Sequence, residues 1–111
     1  MIHIVGERAT AQQIVEMLEA LKTYIKLAVD VERRVLAGGG MLHADCEAVL
    51  LKDGSQQAHV WGADWIPDQQ EVRFESLINI RPSRGNRSMR ISDPQLCAAI
   101  ESIVRERLGS S

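Results

Sequence analysis

The sequence predicts an α+β domain: an antiparallel sheet of about five strands with two amphipathic helices packed on one face. Three observations predict it. Helical spacing of apolar residues is confined to two segments near the ends of the chain, at 10–22 and 94–108. The stretch between them alternates apolar and polar residues with the period of a strand. Its connections are short and rich in Gly, Asp and Pro, which favours antiparallel neighbours.

Taken in order, 2–5 (Ile-His-Ile-Val) is a short β-prone segment ended by Gly6. Thr10 begins a helix over 10–22, with Gln13 as its capping-box partner and Ile14, Met17, Leu18 and Leu21 on the apolar face. A strand follows at 24–31, burying Ile25, Leu27, Val29 and Val31 and turning Asp30 to the other face. Glu32-Arg33-Arg34 forms a tight turn and 35–37 a returning strand. The glycines Gly38, Gly39 and Gly40 mark a turn, a bulge or a close backbone approach.

A strand is then expected at 42–51, with His43, Asp45 and Glu47 projecting together. Its other face carries the small residues Ala44, Cys46 and Ala48, expected to lie under a helix. Asp53-Gly54 is a hairpin signal leading to a partner strand at 56–61. Residues 63–71 read as a loop anchored by Trp65, and 72–81 as the last long strand. The connection 82–90 is polar. Asp93-Pro94 starts the final helix as N-cap and first helical residue, with Gly109 as its C-terminal cap. The helices are expected to cover Leu27, Val29, Cys46, Leu50, Ile78 and Ile80. The tail 109–111 reads as a frayed end.

At 111 residues the chain suits one domain, 1–111, with one core. Hydrophobic residues at 45% and charged residues at 25% describe a folded chain rather than a disordered one. A formal net charge of -2 argues against a nucleic-acid partner bound through bulk charge. No apolar run approaches the length of a membrane helix. Cys46 and Cys97 lack a CxxC spacing and are expected buried and reduced, as in the cytoplasm. The thiols have no basic sequence neighbour, so neither reads as a nucleophile. No P-loop, dinucleotide fingerprint or GxSxG elbow is present, and no cofactor is implied.

Two constellations carry chemistry. Arg81, Arg84, Arg87 and Arg90 recur every third residue with no acid among them, accompanied by Asn79, Ser83, Asn86 and Ser88. A period of three aligns guanidinium groups in a 3₁₀ turn or polyproline helix, and their planar forks suit phosphate and carboxylate. Arg81, Arg84, Arg87, Asn79 and Asn86 are therefore the candidate ligand-binding residues. The competing reading is a structural clasp in which the arginines neutralise Asp30, Glu32, Asp45 and Glu47. The second constellation is Asp30, His43, Asp45 and Glu47, of which Asp30, His43 and Asp45 would suit a divalent metal. Its bland counterpart is a solvated sheet face. Trp61 and Trp65, near His59, read first as core anchors and second as a stacking surface.

The segments Val29-Asp30-Val31-Glu32, Lys52-Asp53-Gly54-Ser55 and Trp61-Gly62 occur together with two longer strings. These are Gly39-Gly40-Met41-Leu42-His43-Ala44-Asp45 and Asn79-Ile80-Arg81-Pro82-Ser83-Arg84-Gly85-Asn86-Arg87-Ser88. In these the chain resembles a small prokaryotic family of unknown function, over nearly its whole length. The resemblance implies a stand-alone domain and brings no activity, cofactor or catalytic residue. The leading expectation is thus a non-enzymatic module that binds a small anionic ligand or a protein partner through the arginine loop. The alternatives are a metal-assisted hydrolase and a purely structural homodimer.

Overall fold

The computed structural model describes residues 1–110. Its sheet comprises β1 (His3–Val5), β2 (Ile25–Asp30), β3 (Val35–Gly38), β4 (Val60–Ile66) and β5 (Glu71–Arg73). The spatial order is β1-β3-β2-β4-β5, and every neighbouring pair is antiparallel. The helices are α1 (Ala11–Met17), α2 (His43–Lys52) and α3 (Pro94–Leu108). The α+β fold expected from the sequence is the fold observed.

Helices α1 and α3 lie on one sheet face, as their apolar stripes require. Ile25, Leu27 and Val29 of β2 and Trp61, Ala63 and Trp65 of β4 meet Met17, Ile100, Ile103, Val104 and Leu108 there. The expected caps are present. Thr10 and Gln13 form a reciprocal capping box at 3.1 and 3.0 Å. Asp93 accepts from the Gln95 N–H at 2.9 Å, and Pro94 is the first residue of α3. Helix α1 ends at Met17, shorter than the expected span to 22. At the chain end, the Ser110 N–H donates to Gln70; Ser111, part of the tail read as frayed, lies outside the described residues.

The main correction concerns 42–51, expected as a strand and observed as α2. Ala44, Glu47, Ala48, Leu50, Leu51 and Lys52 are good helix formers, and Val49 is the one β-branched residue of α2. Cys46, Val49 and Leu50 also fall at helical spacing, which the alternation of His43, Asp45 and Glu47 masks. Cys46 and Leu50 pack on the second sheet face over Ala28, Ala37 and Val60. Small residues do line this contact, but they belong to the sheet, whereas Ala44 and Ala48 are exposed.

Asp53-Gly54 closes this helix and is not a hairpin turn. Ser55 N–H donates to Leu50 O at 3.0 Å and Gly54 N–H to Leu51 O at 3.1 Å, with Gly54 at φ 108°. That is a Schellman ending, which needs the same positive-φ glycine as a hairpin. The Gly38–Gly40 run is a close approach: a Cβ on Gly39 would lie 2.2 Å from the Met1 carbonyl oxygen.

The strand expected at 56–61 is shifted to β4, after a 3₁₀ turn at Gln57–His59. The expected 63–71 loop contributes Ala63, Asp64, Trp65 and Ile66 to that strand, and Pro67 follows its end. The expected long strand 72–81 is reduced to β5. Beyond it the chain runs through 3₁₀ turns at Leu77–Asn79 and Pro82–Arg84 before α3.

Candidate functional site

The site begins with an incomplete sheet edge. On one side β4 pairs with β2 along almost its whole length, but on the other β5 reaches only Asp64, Trp65 and Ile66. Gly62 thus needs partners for a buried N–H and C=O. Asn79 supplies both: its Oδ1 accepts from Gly62 N–H at 2.8 Å and its Nδ2 donates to Gly62 O at 2.9 Å. One side-chain amide stands in for the peptide of a missing strand. Its Nδ2 also donates to Met89 O at 3.2 Å, and the residue is fully buried. Glycine is required at 62, because a Cβ there would lie 2.5 Å from Ser76 Cβ.

Asn86 organises the next segment in the same manner. Its Nδ2 donates to Asn79 O at 2.7 Å, Ser88 O at 2.9 Å and Arg90 O at 3.2 Å. Its Oδ1 accepts from the Ser92 N–H and hydroxyl at 2.9 and 3.0 Å. Arg81 and Asn86 bridge through backbone bonds of 2.7 and 3.1 Å, and Gly85 turns the tip at φ 76°. The loop from 79 to 92 is therefore internally hydrogen-bonded although it contains neither long helix nor strand. Both asparagines, expected to face a ligand, are used to hold the loop instead.

The four arginines divide sharply. Arg81 donates to Ile78 O at 3.0 Å, Gln57 O at 2.8 Å and Glu47 Oε2 at 3.2 Å. Its guanidinium lies 4.6 Å from the centroid of the Trp61 ring. The side chains of Arg81 and Glu47 are only 13% and 12% exposed. Burial lowers the Arg81 pKa from its ordinary value; Glu47 opposes that shift and the nearby charge of Arg84 adds to it. By contrast, Arg84, Arg87 and Arg90 are exposed and make no ion pair among the described residues. The clasp reading holds for Arg81 alone.

Beside the loop lies an open cleft of about 570 Å³ whose lining includes Glu47, Gln57, Leu77, Ile80, Arg81 and Arg84. Leu77 and Ile80 are 72% and 42% exposed. Sequence reasoning missed both because it placed them on opposite sides of a strand. Three residues per turn sets them on the same side, and the polar Ser76 and Asn79 around Leu77 were the available signal. The two tryptophans are core residues, and the Arg81 guanidinium lies over the Trp61 ring.

The second constellation is dispersed. Asp30 is buried at the end of β2, where its Oδ1 accepts from the backbone N–H groups of Glu32 and Arg33 at 2.9 and 3.0 Å. His43 instead meets Asp64 of β4 at 2.7 Å, a partner the sequence reading did not consider. Asp45 is exposed in the first turn of α2, and Glu47, one helical turn beyond His43, serves Arg81. Among the described residues no three His, Cys, Asp or Glu side chains are grouped to share a cation. The one-faced row expected of a strand is lost because 45 leaves the helix face that 43 and 47, four residues apart, share. Cys46 is buried, and burial pushes its thiol pKa up, as it does that of Cys97.

No helix of the described residues is long and apolar enough to cross a membrane. No curated protein and no solved structure matches the chain. A family model matches residues 3–107, taking in the sheet, nearly all of α3 and the whole arginine loop, so the chain belongs to the family described as Protein of unknown function (DUF5674).

Proposed function

We propose that this domain is a binding module that holds a phosphate- or carboxylate-bearing ligand or partner through the loop 81–90. The observation that carries the proposal is the contrast between a fixed backbone and free charges. Asn79, Asn86 and Arg81 hold the loop, while Arg84, Arg87 and Arg90 project from it without carboxylate partners. Arg84 also stands close enough to Arg81 for its charge to weigh against the Arg81 guanidinium. An anion between them would relieve that repulsion and meet guanidinium groups carried on a backbone already held in place, so less ordering opposes binding.

The test is thermal unfolding in sulfate, phosphate or pyrophosphate against chloride at matched ionic strength. Ligand binding to the folded state raises stability by RT ln(1 + [L]/Kd), so Tm should climb with anion concentration. Arg84→Ala with Arg87→Ala should abolish the climb without lowering the starting Tm. Identical curves in chloride and pyrophosphate for the intact protein would refute the proposal.

A further inference from the structure

The geometry points to an acidic, amphipathic segment of another protein as the occupant of this surface, an inference that rests on the anion-binding reading above and narrows it. The arginine cleft is not isolated. It shares Leu77 and Ile78 with a second, mainly apolar groove of about 290 Å³, which Leu42, Ala44 and Met89 also line. Leu42, Leu77 and Met89 are 57%, 72% and 42% exposed. Apolar side chains therefore run from the start of α2, across the 3₁₀ turn at Leu77–Asn79, to Ile80 at the arginine rim.

The outward placement of Leu77 follows from the fold. Asn79 must point inward to complete β4 at Gly62, and Ser76 is buried with its hydroxyl turned to the Ile78 N–H at 3.3 Å. The ridge thus projects from a fixed turn, as a preorganised anchor site does. A free inorganic anion would use the guanidiniums and leave this ridge in water. An apolar ligand without charge would leave Arg84 unpaired at its margin. A segment with leucine-like anchors on one side and carboxylates beside them satisfies both, and charge complementarity selects an acidic one.

The experiment uses the full chain and a synthetic peptide array. The probes place leucines at helical spacing on one face with glutamates beside them, in several registers. Controls replace the glutamates with lysine, or the leucines with serine. Fluorescence anisotropy should show salt-sensitive binding of the acidic amphipathic set and neither control set. Leu77→Ser should weaken peptide binding by about tenfold or more, as expected for a central anchor. The same variant should leave the pyrophosphate effect on Tm unchanged, because the guanidiniums remain. Arg84→Ala with Arg87→Ala should abolish both. Pyrophosphate stabilisation with no peptide bound, or Leu77→Ser binding peptide like the intact protein, would overturn this inference and leave the anion site standing. Loss of both the peptide and the pyrophosphate response in the intact protein would overturn the anion site as well.

Discussion

Replacing Asn79 with alanine tests the idea that one amide completes the sheet. The substitution removes the acceptor of Gly62 N–H at 2.8 Å and the donor to Gly62 O at 2.9 Å, both buried. A buried backbone group left without a partner costs roughly 1–3 kcal/mol, so the pair costs about 2–6 kcal/mol. That is a large share of the roughly 5–15 kcal/mol by which domains are stable. At roughly 4–8 °C per kcal/mol for a domain of about this size, the lower limit is a fall in Tm of about 8 °C. Asn79→Asp sharpens the test because it keeps the shape. Its oxygen would still accept from Gly62 N–H, but the second oxygen would face the carbonyls of Gly62 and Met89 where Nδ2 now donates. It should therefore be no more stable than Asn79→Ala at neutral pH. The assay is two-state unfolding by circular dichroism with urea titration as a second measure. Wild-type stability in both variants would refute the amide bridge and with it the account of why the loop is fixed.

Gly62→Ala should be destabilising for a related reason, since the new Cβ would meet Ser76 Cβ at 2.5 Å and force the 74–79 segment off β4; an unchanged Tm would contradict that approach. Cys46 should resist a thiol reagent at neutral pH in the native protein and react on unfolding, because burial raises its pKa and Leu50 and Ala28 cover the same contact. Rapid native labelling of Cys46, read by mass spectrometry, would mean that α2 does not dock as described. Glu106 has its carboxyl pKa lowered by the hydrogen bond from Arg34 and by the charge of Arg34. Its contribution is therefore present above the unfolded carboxylate range and lost as pH falls through the lowered folded value. Glu106→Gln should flatten that part of the acid branch of a Tm–pH curve; an unchanged branch would show that the exposed pair contributes nothing.

The parts of the fold legible in the sequence are those where one local signal stands unopposed. Thr10 with Gln13, and Asp93 with Pro94, set helix starts with no competing pattern, and the alternation from Ile25 to Asp30 has one reading. The stretch His43–Lys52 carries two overlapping periods. Polar residues at 43, 45 and 47 mimic a strand, while the helix preference of Ala, Leu and Glu and the stripe Cys46, Val49, Leu50 decide the outcome. Asp53-Gly54 misleads because a Schellman ending and a hairpin both need a glycine at positive φ. The site was half legible. The triplet spacing of the arginines marked the loop, but the inward roles of Asn79 and Asn86 depend on a gap in the sheet opposite Gly62. That gap arises from the shortness of β5, a tertiary fact with no local signal. The pairing of His43 with Asp64 is likewise set by how α2 crosses β4.

Arg81 ties the loop to the body of the domain, whereas Arg84 and Arg87 are exposed and have no ion-pair partner among the described residues. Parallel unfolding curves of Arg81→Ala, Arg84→Ala and Arg87→Ala in low-anion buffer separate these two roles. Removing Arg81 strands Glu47, which is 12% exposed, and leaves Ile78 O and Gln57 O without their donor. That variant should lose about 3–5 kcal/mol. The Arg84 and Arg87 variants should stay within about 0.5 kcal/mol of the intact protein, and Arg84→Ala should gain slightly as its repulsion with Arg81 is relieved. A mild Arg81→Ala beside strongly destabilised Arg84→Ala and Arg87→Ala would contradict the account and make the whole loop a structural clasp.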